Sequence, residues 1–153
     1  MSSSQSQRAV ELFSRNFNCA QSVYAATALG EGLTEAQRLA LAAPFGGGIA
    51  RQGEVCGALT GALLALGEAN GKAMAANPVA ARNTLYEQAR QLTEAFRSAH
   101  GAILCRELTG CVLSTDEGQR AFKERGLHQN LCTNLVAFAA EEVVKMTATS
   151  AAD

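Results

Sequence analysis

Apolar residues recur along this chain at intervals of three and four, with polar positions between them, and that period predicts helices rather than strands. Over residues 5–16, Val10, Leu12 and Phe13 fall near helical spacing among charged neighbours, giving a first amphipathic helix. Cys19, Val23 and Ala26 form the stripe of a second helix that Asn18 opens and Gly30 closes. Thr34 followed by Gln37 reads as a capping box for a short helix, Glu35 to Ala42, which Pro44 and a run of glycines stop. A strongly apolar helix opening at Cys56 runs to about Asn70-Gly71, and an Ala-rich link expected to be flexible follows it. Asn77 and Pro78 then start the longest helix, with Leu85, Ala89, Leu92 and Phe96 on one side and Gly101 breaking it after His100. The stretch from Ile103 to Cys111 is too short for more than a turn or so, ended by Gly110. Ser114-Thr115-Asp116-Glu117 caps a polar helix running to Gly126. Asn130 is placed to cap the last helix, Leu131 to about Met146, with Cys132, Val136, Ala139 and Val143 sharing its stripe.

These elements predict an all-α fold, one helical domain over residues 1–153, built as a bundle of about six to seven helices. The polar ends, about 1–5 and 147–153, are expected to fray. Composition agrees: 48% of the 153 residues are hydrophobic, largely Ala and Leu, Trp is absent, and aromatics make up only 5%. Thirteen basic residues balance 14 acidic ones without a Lys/Arg stripe, so nucleic acid and acidic membrane surfaces are not expected partners. The most apolar segment, Val55 to Gly67, lies between Glu54 and Glu68 and is short of the roughly 20 residues a membrane span needs, so a membrane-spanning protein is not expected. The N-terminal residues lack the pattern of a secretory signal, which makes the cytoplasm the expected compartment. Five cysteines in that setting point to thiol chemistry, metal binding or plain buried thiols instead of a disulfide framework.

The stretch from Phe45 to Gly61 carries the clearest chemistry. A glycine-rich turn runs into the apolar helix, whose first turn is expected to hold Cys56, where unpaired amides favour the thiolate. Gly57 and Gly61 lie one turn apart and let another backbone approach closely. Arg51 and Glu54 are placed to tune the thiol. Cys19 and Cys132 also open predicted helices, so helices starting at one end of a bundle would gather Cys19, Cys56 and Cys132, with Cys105 completing the group. Four thiols together suit tetrahedral zinc, an iron–sulfur cluster or disulfide exchange. Against that stands the usual role of a buried cysteine as a small hydrophobe, and no pair has Cys-x-x-Cys spacing. Gly46 to Gly53 lacks the Lys-Ser/Thr pair of a phosphate loop. His128 and His100, near Cys132 and Cys105, are candidates to supply a ligand or a proton, although a core or solvated histidine is the commoner case.

Several segments together resemble the C_GCAxxG_C_C family: Asn18-Cys19-Ala20-Gln21-Ser22-Val23, Phe45-Gly46-Gly47-Gly48, Cys56-Gly57-Ala58-Leu59-Thr60-Gly61, Cys105-Arg106-Glu107-Leu108-Thr109-Gly110 and the late Cys132. Ser114-Thr115 followed by Glu117-Gly118 also fits the family's turn. The resemblance implies a small, mostly helical bacterial protein whose function is taken to be redox on the strength of four cysteines, matching Cys19, Cys56, Cys105 and Cys132 here. Cys111 is then the extra one.

The leading expectation is a redox or metal-centre protein. In one mechanism the Cys56 thiolate attacks a disulfide or oxidant and a neighbouring cysteine resolves the product. In the other, Cys19, Cys56, Cys105 and Cys132 hold an iron–sulfur cluster or another thiophilic metal. The expected partner is a redox protein or a transporter, and the small-residue helix faces suit a homodimer as readily as a core. Two further readings stand beside these: a helical interaction module whose cysteines only pack, and a small-molecule binder whose glycine loop lines a pocket.

Overall fold

The computed structural model describes residues 2–150, and these form nine α-helices with no β-ladder. The helices are α1 (Ser4–Ser14), α2 (Cys19–Thr27), α3 (Glu35–Ala42), α4 (Gly57–Ala69), α5 (Gly71–Ala76), α6 (Pro78–His100), α7 (Cys105–Thr109), α8 (Asp116–Glu124) and α9 (Thr133–Ser150). The all-α expectation holds, and seven of the nine helices have eight or more residues. The expected flexible link is instead the short helix α5. Asn70 and Asn77, its flanking residues, each bond back to a carbonyl one turn earlier, so the chain stays coiled between α4 and α6. Of the ends expected to fray, residues 1 and 151–153 lie outside the described residues. Within them, the Ser3 hydroxyl accepts the Ser6 amide, and both the amide and the hydroxyl of Ser3 donate to Glu141 of α9 at 2.9 Å.

Local signals in the sequence account for most helix starts. Asn18 and Gln21 form a reciprocal capping box at α2, Thr34 and Gln37 form one at α3, and Thr115 accepts the Gly118 amide at α8. Asn77 accepts the Ala80 amide at α6, where Pro78 stands first and its missing N–H costs nothing. The boundaries of α2 and α9 are among those that differ from expectation, and α9 continues to Ser150, through residues expected to fray. Helix α2 stops at Thr27, three residues before Gly30. Its last turn is held by the Thr27 hydroxyl donating to the Val23 carbonyl, and Ala28 turns extended. Ahead of α9 the backbone runs through a wide π-type turn, His128–Cys132, in which Asn130 is an interior residue and not a cap.

Helices α1, α2, α4 and α9 pack around one another, and α6 lies across α4, α5 and α9. Leu12, Val23, Leu59, Leu66, Leu92, Phe96, Val136 and Val143 are fully buried in the core they share. The approach of α2 to α4 is close because of glycine: a Cβ on Gly61 would come within 2.5 Å of the Ala20 carbonyl oxygen. Under this core, Arg38 forks onto Glu68, the nearest contact being 2.5 Å, and the Tyr24 hydroxyl donates to the same carboxylate at 2.7 Å. That network ties α2, α3 and α4 together at the end away from the glycine loop.

Candidate functional site

The N-terminal ends of α2 and α4 meet because Asn18 serves both its own helix and the chain beside it. While its oxygen caps α2, its amide nitrogen donates to the Ala43 carbonyl at 2.9 Å, and the Gln21 side chain reaches Leu39 at 3.0 Å. Gly46 follows because any side chain there would strike Asn18, a Cβ lying 2.5 Å from its nitrogen. From Gly47 to Arg51 the backbone then turns left-handed over five consecutive residues, with φ of 66°, 68°, 60°, 51° and 66°. Glycine adopts this at no steric cost, but Ile49, Ala50 and Arg51 each sacrifice about 1–2 kcal/mol. Hydrogen bonds from Ala50 to Pro44, Gly53 to Gly47 and Glu54 to Gly48 hold the turn closed.

A short backbone pairing attaches this turn to the Cys105 segment. Val55 and Leu104 form an antiparallel bridge, in which the Cys56 amide donates to Ile103 at 2.8 Å and the Cys105 amide donates to Glu54 at 2.7 Å. Cys56 and Cys105 are therefore brought alongside each other by main-chain bonds between segments about fifty residues apart in sequence. Cys56 is the N-cap residue of α4, one position before the first turn where it was expected. Cys19 opens α2 and Cys105 opens α7, while Cys132 ends the π-type turn before α9.

Cys19, Cys56, Cys105 and Cys132 all line one cavity of about 530 Å³, the size range of small-molecule sites. Its walls also include Gly46 and Gly47 of the left-handed turn, Phe13, Phe17, Phe122 and His128. The His128 ring lies flat on Phe13, with centroids 3.9 Å apart. Cys111 is buried outside the lining, with its sulfur 3.8 Å from Arg125. His100 is also elsewhere, edge-on to Phe96 and Phe138 with its Nε2 unpartnered. Glu54, expected beside Cys56 to tune it, pairs instead with Arg106 at 3.1 Å.

The sulfur of Cys19 has an exceptional environment. Backbone amides of Gly47, Ala20, Cys19 and Gly57 act to lower its pKa, one from the left-handed turn and three from two helix starts. Gly57 is needed there, since a Cβ would lie 2.4 Å from that sulfur. These donors favour the thiolate, yet burial outweighs them and the Cys19 pKa stands above the ordinary thiol value. Burial acts likewise on the others: Cys105 rises to about 11 and Cys132 to about 12, and Cys56 is pushed up as well. The expected acidification of Cys56 by its helix is thus overturned, because desolvation exceeds what the Ala58 and Leu59 amides return. After burial, charge on Cys19 is the largest electrostatic influence on each of the other three. No three or more His, Cys, Asp or Glu side chains among the described residues are arranged to hold a metal ion.

The fold and cavity define a class: an all-helical protein that gathers four thiols around a small apolar chamber. The chain belongs to the family described as "Putative redox-active protein (C_GCAxxG_C_C)", whose model matches residues 17–146. No curated protein and no solved structure gives a significant match. No helix among the described residues is long and apolar enough to cross a membrane.

Proposed function

We propose that this protein is a thiol–disulfide redox protein in which Cys19 is the attacking nucleophile and the cysteines around it resolve the product. The observation that carries this reading is the one cavity wall that Cys19 shares with Cys56, Cys105 and Cys132, at a helix start where the backbone amides of Gly47, Ala20, Cys19 and Gly57 favour its thiolate. Fixed N–H dipoles aimed at a sulfur stabilise the negative charge it carries when it attacks or leaves, and they need no reorganisation to do so. This reading moves the nucleophile from Cys56 to Cys19.

In the first step Cys19 gives up its proton, which ends on the departing thiolate, and its sulfur attacks one sulfur of a substrate disulfide. A Cys19–substrate S–S bond forms, the substrate S–S bond breaks, and one thiolate departs. In the second, another cavity cysteine gives up its proton and attacks the Cys19 sulfur, leaving a protein disulfide and a second released thiolate. Two electrons have passed from the protein to the substrate. His128, an imidazole in the same lining, is the proposed acceptor of that proton. Five thiols, none in a disulfide, suit the cytoplasm, where a partner thiol protein would restore the reduced state. An iron–sulfur cluster or thiophilic metal held by the same four cysteines is the weaker reading, since no three of the described donors stand in ligating array.

The test is trapping. The reduced protein, mixed with a small disulfide and quenched with acid, is mapped by mass spectrometry. The mixed disulfide should sit on Cys19 and accumulate when Cys56, Cys105 or Cys132 is replaced by Ser. Labelling confined to another cysteine in Cys19→Ser and wild type alike sinks the assignment.

A further inference from the structure

The chamber next to Cys19 also carries information about what enters it, and the inference drawn from it rests on the thiol-exchange reading above. Its walls are mainly apolar, with three phenylalanines, Phe13, Phe17 and Phe122. Among the described residues Arg51 is the one Arg or Lys in the lining, and no Asp or Glu lines it. The amides around Cys19 add partial positive charge at the same end. Arg51 is exposed, stands in no ion pair of the described residues, and lies at the last position of the left-handed turn with φ of 66°. Its stem folds back over Gly47, where a Cβ would lie 3.0 Å from the Arg51 Cα and Cγ, and the Gly47 amide is one of those facing the Cys19 sulfur. Three consecutive non-glycine residues in a costly conformation call for a reason, and the placement of Arg51 beside the chamber supplies one.

We propose that the substrate is a low-molecular-weight disulfide with an apolar, ring-bearing body and a carboxylate, and that Arg51 is the residue that selects the carboxylate. Aromatic walls take up the body, the guanidinium pairs with the anion, and the scissile S–S bond is presented to Cys19. The cavity volume bounds the size of the body held inside it: one or two rings fit.

Two aromatic disulfides of similar size serve as probes on the full, reduced chain: the dianionic 5,5′-dithiobis(2-nitrobenzoate) and the neutral 4,4′-dithiodipyridine. In wild type the ratio of their rate constants at Cys19 should fall as salt is raised. Arg51→Gln should slow the anionic probe about tenfold, the scale of one partly screened charge pair, and leave the neutral probe within about twofold. Arg51→Lys should keep most of the discrimination while losing the bidentate geometry. Equal slowing of both probes, or no change in either, removes Arg51 as the selecting residue while leaving thiol exchange standing. If neither probe modifies a folded-state cysteine, the thiol-exchange reading falls and takes this one with it.

Discussion

The α-carbon of Gly57 lies so close to the sulfur of Cys19 that a methyl group there would overlap it, at 2.4 Å. This contact joins the start of α4 to the start of α2, and through it the Gly57 amide becomes one of the donors to the sulfur. The packing of two helices and the electrostatics of the proposed nucleophile are thus one feature.

Replacing Gly57 by Ala should therefore do two things together. It should destabilise the fold by about 1–3 kcal/mol, the usual cost of forcing an extra carbon into a filled core, and it should slow modification of Cys19 by small disulfides. Gly61→Ala, which meets the Ala20 carbonyl, should cost similar stability with less effect on Cys19. Gly67→Ala has open space around it within the same helix and should raise stability by about 0.5–1 kcal/mol. Thermal melts of the three variants, paired with Cys19 labelling rates, check the pattern.

The raised thiol pKa values have a signed consequence for stability. A buried Cys105 holds its proton up to about 11 and Cys132 up to about 12, whereas an unfolded cysteine loses its own near 8.5. The folded state then binds more protons, so these groups contribute stability that is fully present below about 8.5 and declines as pH rises from there toward the folded values. Denaturant midpoints from pH 7 to 10.5 should fall steadily, and the fall should shrink in Cys105→Ala and Cys132→Ala. Midpoints that stay flat over that range contradict the assigned burial.

At the acid end two groups act in sequence. Burial against Phe96 and Phe138 lowers the His100 pKa, so an unfolded chain takes up its proton first and stability begins to fall below about 6.5. Glu68 is held below its ordinary value chiefly by its hydrogen bond from Arg38, so its contribution is present above about 4.3 and is lost as pH drops through the folded value. A pH series of urea midpoints should show both limbs, and His100→Phe should remove only the upper one.

The Arg38–Glu68 pair is largely enclosed, with side-chain exposures of 11% and 13%. Arg38→Ala leaves the carboxylate and the Tyr24 hydroxyl without their cation, and the expected loss is about 3–5 kcal/mol. Since the pair lies at the opposite end of the helices from Asn18, labelling of Cys19 under native conditions should change little. A variant that labels at an altered rate while still folded would show the two ends to be coupled.

Cys111 should prove separable from the other four. It is buried beside Arg125 and outside the cavity lining, so Cys111→Ala should lower the melting temperature while mixed-disulfide formation at Cys19 proceeds at the wild-type rate. Stopped-flow labelling of both proteins tests this.

Much of the helical framework could be read directly. Asn18 with Gln21, Thr34 with Gln37, and Asn77 with Pro78 are signals complete within four residues, and such signals act before any tertiary contact forms. The burial of Val23, Val136, Ala139 and Val143 was legible for a similar reason, since helical period alone places them on one face. The need for Gly57 and Gly61 as points of close approach was also written in their spacing.

What the sequence could not carry were the relations between distant segments. The Val55–Leu104 bridge, the left-handed turn and the amide cluster at Cys19 depend on main-chain groups, which are chemically alike at nearly every residue and leave little trace in side-chain pattern. The thiol pKa values belong here as well: a helix start argues for acidity from local dipoles, and only the packed chain reveals how much water has been removed. Short-range rules thus named most of the helices and, with the family resemblance, the four cysteines, while tertiary packing decided that those cysteines line one chamber, because desolvation and backbone convergence are properties of the closed fold alone.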